Sequence, residues 1–189
     1  LWAVAAACTI WGLSPIYYKL LRDVPALELL AHRTLWSLAM FVALLALQGR
    51  LAGLKAALSS PRAVGIVLFS ALMISANWFL FIYSVQIDRV TEASLGYYMF
   101  PLVAVVLGVV VLGERLSRLQ WLAVALAAVA VGQLTWGLAA APWISLVLAS
   151  TFGLYGLVKK QLAVGAVTSV TAEVLMLTPL AAVWLVWVH

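Results

Sequence analysis

Charge is what this sequence has least of. Only six acidic and eleven basic residues stand among 189, 9% of the chain, where a soluble domain carries about 25%. With 67% hydrophobic residues, the surface of such a chain would not dissolve in water, which excludes a soluble globular domain. Cysteine is almost absent. Cys8 stands alone inside an apolar run, which excludes an intrachain disulfide, leaves the redox compartment open and reads as a small buried residue. The two histidines, His32 and His189, form neither a metal-ligand pair along the chain nor a Ser–His pattern, so an enzyme has no visible active-site constellation and no metal or cofactor is expected. The chain has no glycine-rich phosphate loop and no soluble domain, which disfavours an ATP-driven pump. The net charge of +5 would suggest nucleic acid in a soluble protein. Here the basic residues lie in loops and set membrane orientation instead, so no nucleic-acid partner is expected.

What fills the chain is apolar runs of bilayer length. A helix of roughly 18 or more apolar residues crosses the hydrocarbon core, and helices are required because lipid offers no partner for open backbone groups. The pattern predicts seven spans, at about Leu1–Leu20, Glu28–Leu47, Ala63–Val85, Val90–Leu112, Ser117–Trp136, Pro142–Lys159 and Ser169–Val188. The breaks have physical causes. Asp23-Val24-Pro25 separates the first two spans, and Ser59-Ser60-Pro61 caps the third with proline in its first turn. Thr91 and Glu92 suit the start of the fourth, and Gly137 and Pro142 bracket the turn into the sixth. The fold class expected is all-α, a polytopic membrane helix bundle in contact with the lipid bilayer.

The loops after spans two, four and six hold Arg50, Lys55, Arg62, Arg115, Arg118, Lys159 and Lys160, and the opposite loops hold Lys19, Arg22 and Arg89. The positive-inside rule then predicts a cytoplasmic N-terminus and an outward-facing His189. Trp2, Trp121, Trp136, Trp143 and Trp187 fall near span ends, where interfacial anchoring explains them. Leu1 already belongs to an apolar run and the chain stops where another ends, so a piece of a longer protein is expected.

A shift of 141 positions brings the first span onto the sixth. Trp2 then falls on Trp143, Thr9 on Ser150, Trp11 on Phe152, Gly12 and Leu13 on Gly153 and Leu154, and Lys19 on Lys160. The shift equals five spans, an odd number, so the second copy is inverted. Inverted repeats mark secondary transporters, with the substrate site near the midplane. The organisation expected is a first repeat at 1–136 and a truncated second repeat at 142–189, with three more helices beyond His189 to complete it.

The motifs converge on one family. They are Trp11-Gly12-x-x-Pro15-x-Tyr17-x-Lys19, then Pro25-x-x-Glu28-x-x-x-His32-Arg33-x-x-Trp36-Ser37, then Asn77-Trp78-x-x-Phe81-Ile82. Glu92-Ala93-Ser94-Leu95-Gly96-Tyr97, Pro101-Leu102, Leu107-Gly108, Leu112-Gly113-Glu114-Arg115, Arg118 and Gln120-Trp121 follow. Tyr155-Gly156-Leu157-Val158-Lys159-Lys160 lies in the sixth span. Together they resemble the RarD-type (chloramphenicol-sensitivity) permeases of the EamA group of drug/metabolite transporters. The resemblance implies ten helices in two inverted five-helix repeats, in the bacterial inner membrane, moving a small-molecule substrate. The partners implied are the missing C-terminal helices of the same chain, with a homodimer also open.

Charges inside spans are costly, about 2.5–3.5 kcal/mol at the centre, and face a cavity or a partner. Arg33 and Glu92 are expected at similar depths in the outer half, close enough to pair. Glu28 and His32, four apart on one helix face, suit a shared hydrogen bond, with Lys19 completing an outer polar cluster. Glu173 lies toward the inner side, too far from Arg33 for a salt bridge, and Lys160 is its expected partner in a coupling role. Trp11, Tyr17, Trp78, Tyr97, Phe152 and Tyr155, with the helix breaker Pro101, suggest an aromatic pathway. Asn77 brings an amide that needs a partner in lipid. Such a cavity suits an amphipathic or cationic organic solute, although helix packing explains most of these residues one by one. Two readings compete with transport: a membrane scaffold, and a membrane enzyme.

Overall fold

The computed structural model describes residues 2–137, 143–162 and 164–189. The expected first residue of the first span, Leu1, and Pro142 at the head of the sixth lie outside the described residues. Eight helices occur among those described: α1 (Trp2–Leu20), α2 (Ala26–Leu47), α3 (Ala52–Ala57), α4 (Pro61–Gln86), α5 (Val90–Leu112), α6 (Arg118–Gly137), α7 (Trp143–Lys159) and α8 (Ala166–Val188). The seven long helices occupy the seven apolar runs. Five of them, α2, α4, α5, α6 and α8, are long and apolar enough to cross a membrane, and α7 is apolar but shorter, at 17 residues. The chain is a polytopic helical bundle. The short α3 was not expected from the sequence, since six residues show no helical period.

Local chemistry sets the ends. The Ser60 hydroxyl accepts from the Ala63 backbone N–H at 3.2 Å, with Pro61 in the first turn of α4. Gly113 ends α5 at φ +67°, a left-handed cap that glycine adopts without strain. At the other end of α4, Gln86 Nε2 donates to Leu21 O and Val24 O. This ties the α1–α2 turn to the bundle.

Cross-helix bonds fix the directions. Lys19, at the end of α1, meets Asp88 just beyond α4 at 2.7 Å, so α1 and α4 run parallel. The Ser145 hydroxyl, at the start of α7, donates to Glu92 O at the start of α5 at 2.6 Å, so α5 and α7 run parallel. On α4, Asn77 is level with Leu148 and Thr151 of α7, whereas Ser70 is level with Glu173, which pairs with Lys159. Helices α4 and α7 are therefore antiparallel, and α1 runs opposite to α7.

The most extensive helix contact is α5 on α7, then α2 on α8 and α4 on α7. Gly96 makes the first possible: a Cβ there would meet the Leu148 Cβ and the Ser145 carbonyl oxygen at 2.9 Å. One core cluster gathers Tyr18, Phe81, Ile82, Ile144 and Leu148, and another Ala57, Val67 and Ala172. Helix α6 buries no residue and α1 buries only Tyr18, so both lie at the periphery. Large apolar side chains such as Leu20, Val110, Leu119 and Trp136 are exposed, as expected of a chain whose solvent is lipid.

Candidate functional site

A cavity of about 300 Å³ opens between α2, α4, α7 and α8, with Trp11 of α1 in its wall. Along α2 it extends from Leu30 and Arg33 to Ser37 and Phe41, about 16 Å of helical rise. Arg33 lies toward the N-terminal side of α2. Glu173 lies toward the opposite side, because α8 runs antiparallel to α2, as the pairing of His189 with Glu28 requires. The two residues share the cavity without forming an ion pair, as their difference in depth predicted.

The Arg33 guanidinium carbon stands 3.2 Å from the centroid of the Trp78 ring, a cation–π contact. Trp78 in turn packs on Trp11, with centroids 4.9 Å apart. Trp11 and Phe152 both meet Tyr97 in edge-to-face pairs, at 6.4 and 6.0 Å, and Phe152 stacks on Tyr155 at 6.1 Å. The positions related by the 141-residue shift therefore both contact one tyrosine. Tyr17 is exposed. It lines a neighbouring hollow of about 550 Å³ with Trp11, Arg33 and Trp78, so those three residues form a partition between two spaces.

Glu173 is 2% exposed and fully engaged. Lys159 Nζ lies 3.0 Å from its Oε1, and the hydroxyls of Ser70 and Ser169 donate to the same oxygen at 2.9 and 3.2 Å. The Tyr155 hydroxyl donates to Oε2 at 3.3 Å and also meets Lys159 Nζ. A buried carboxylate needs such a set of partners. The expected partner Lys160 is corrected here. It is exposed in the turn after α7, because one residue turns a side chain by about 100° around a helix.

Other expectations also change. Arg33 and Glu92 do not pair. Glu92 is buried at the start of α5, where Arg89, three residues earlier, reaches it at 3.4 Å, and its Oε2 has no partner among the described residues. Glu92 lies outside the cavity wall. Asn77 also lies outside it, because its hydrogen-bonding capacity is spent between helices. Its Nδ2 donates to Leu148 O at 2.9 Å and to Thr151 Oγ1 at 3.0 Å, and its Oδ1 accepts from the Tyr97 hydroxyl at 3.2 Å. Tyr97 thus serves as a hub rather than a wall. Pro101 sits inside an α5 that continues through it and is exposed, away from the cavity. Lys19 pairs with Asp88 rather than joining Glu28 and His32. Its hydrogen bond and charge hold the Asp88 carboxyl below its ordinary range.

Glu28 takes His189 Nε2 at 3.2 Å in place of His32. One ligand atom each from Glu28, His32 and His189 lies within 4.8 Å of the others, a grouping that sequence spacing did not reveal because α2 and α8 are far apart in the chain. The polar residues missed in the cavity wall, Thr34, Ser37 and Ser75, and those missed around Glu173 and Asn77, Ser70, Ser169 and Thr151, carried one signal: polar side chains inside apolar runs.

The profile of the EamA-like transporter family matches residues 1–136. Protein RarD of Streptomyces exfoliatus is 48% identical over 179 residues, covering 94% of this chain and 56% of that protein. Protein RarD of Escherichia coli is 44% identical over 180 residues, covering 95% and 61%. An uncharacterized transporter of Vibrio cholerae is 42% identical over 182 residues, covering 96% and 60%. The chain spans about three fifths of the length of these relatives. No solved structure matches. The apolar helices, the aromatic cavity and these similarities lead to one conclusion: the chain is a multi-pass membrane protein and belongs to the EamA-like transporter family, with RarD-type proteins as its relatives.

Proposed function

We propose that the whole protein is a secondary transporter that moves a small organic solute across the bacterial inner membrane by alternating access. One observation carries this reading. The cavity that holds Arg33 and Glu173 is bounded by Trp11 and Phe152, which sit at matching positions in two oppositely directed helices, as expected of a midplane site between inverted repeats. On this reading residues 1–136 form the first five-helix repeat, residues from 142 open the second, and the N-terminus is cytoplasmic. Trp11, Trp78, Phe152 and Tyr155 form the wall of the pathway, and Tyr17 lies at its approach. Asn77, Tyr97 and Glu92 act by holding helices, and Glu173 with Lys159 is the candidate coupling pair. Helices beyond His189 complete the site, and a second copy of the chain is compatible with the exposed apolar faces.

Flux measured in proteoliposomes with the full-length protein tests the proposal, using a panel of labelled organic solutes. Saturable flux that exceeds empty liposomes supports it, and its absence across the panel overturns it. The scaffold reading is tested by the same assay on residues 1–189 alone. It is lost if this length transports unaided.

A further inference from the structure

Among the described residues, the charges in the cavity wall do not cancel. Its one carboxylate, Glu173, is held by Lys159 at 3.0 Å and by serine hydroxyls. Arg33, at the other end, takes part in no ion pair among the described residues. Glu28, which shares a neighbouring hollow with Arg33, lies outside the cavity wall, meets His189 Nε2 at 3.2 Å and forms no ion pair with Arg33. The rest of the wall is neutral, built of aromatic, aliphatic and hydroxyl side chains. A cation in a low-dielectric wall costs free energy until an anion joins it. The guanidinium rests over the Trp78 ring, and a planar fork of N–H donors matches a carboxylate in two parallel bonds.

We propose that this cavity binds an organic anion, a carboxylate on a flat apolar body. The carboxylate sits on Arg33 and the body lies in the cavity against the packed Trp11–Trp78 pair and Phe152. This deepens the transport reading and rests on it. It also replaces the cationic solute that the aromatic residues alone suggested. A cation would meet Arg33 as a like charge and would find Glu173 already neutralised.

The test uses the full-length protein in detergent with four probes: phenylacetate and indole-3-acetate, and the matched phenylacetamide and phenethylamine. The carboxylates are expected to raise the melting temperature at millimolar concentration, and the amide and amine to leave it unchanged. Arg33→Gln is expected to weaken carboxylate binding about tenfold or more, the loss of roughly one charge-assisted hydrogen bond. Arg33→Lys, which keeps the charge and loses the fork, is expected to weaken it only severalfold. In the wild type, affinity should follow the ionised fraction of each acid as pH crosses that acid's own pKa, a readout that needs no variant. Equal stabilisation by the amine or amide overturns the proposal, as does undiminished carboxylate binding by Arg33→Gln, or no shift with either acid. Flux in proteoliposomes separates the two readings. Carboxylate binding without flux retires the transport reading and keeps the anion site, and flux of the amine alone does the reverse.

Discussion

Lys159 Nζ lies 3.0 Å from Glu173 Oε1, and this pair joins the last turn of α7 to the second turn of α8 inside the bundle. Lys160, its neighbour in sequence, faces away and is exposed. Removing one partner of a buried pair leaves the other without compensation, at a cost of about 3–5 kcal/mol. Lys159→Met is therefore expected to lower the melting temperature of the full-length protein sharply, and Lys160→Met to leave it unchanged. Lys159→Met combined with Glu173→Gln should recover most of the loss. Equal effects of the two single lysine variants would remove this pair from the account of stability.

Asn77 is 1% exposed and bonds to both α5 and α7. Hydrogen bonds between membrane helices contribute about 0.6–1.7 kcal/mol. Asn77→Ala should destabilise the bundle by about that amount, and any loss of transport should follow the loss of folded protein. Thermal unfolding and flux measured on the same preparation check this. A variant of wild-type stability with abolished flux would return Asn77 to the pathway.

Gly96 leaves no room for a side chain. A Cβ would come within 2.9 Å of the Ser145 carbonyl oxygen, a backbone atom that cannot turn aside. Gly96→Ala is expected to push α5 from α7 and to cost about 1–3 kcal/mol, as other overpacked sites do. Gly156→Ala, on the same α7 but with open space around it, should be neutral or slightly stabilising in the helix. Comparison of the two melting temperatures decides the matter.

Glu173 is also the one carboxylate in the cavity wall among the described residues. If it carries the coupling proton, Glu173→Gln fixes the site in its uncharged form, and the dependence of flux on pH should flatten. The groups that face it are Lys159 and Tyr155 from α7, Ser70 from α4, and Arg33 across the cavity from α2. Lys159→Met should shift the same profile, because the carboxylate then loses its cation. A profile unchanged in both variants would leave Glu173 a structural role only.

The long helices were legible in the sequence almost to the residue. The expected Val90–Leu112 is α5 itself, and the expected Ala63–Val85 falls inside Pro61–Gln86. The cap at Ser60 and the turn signals at Asp23–Pro25 were equally plain. Of the aromatic group expected from the sequence, Trp11, Trp78, Phe152 and Tyr155 line the cavity, whereas Tyr17 and Tyr97 do not. Which lysine meets Glu173, and which residue meets Glu28, were not legible. Those answers depend on how far each helix is rotated about its axis, and successive residues differ by about 100°. Asn77 was visible as a polar group in need of a partner, but its partners lie on other helices, 20 to 74 residues away.

The sequence by itself determined the solvent and the secondary structure, because apolar runs of bilayer length leave a chain no alternative but helices that close their own hydrogen bonds. Only the tertiary structure decided which charged groups find partners. Glu173 acquires Lys159, Glu28 acquires His189, and Arg33 is left facing aromatic rings. That outcome follows from helix rotation and packing, since an ion pair forms over a few ångströms in space and the chain order does not fix those distances.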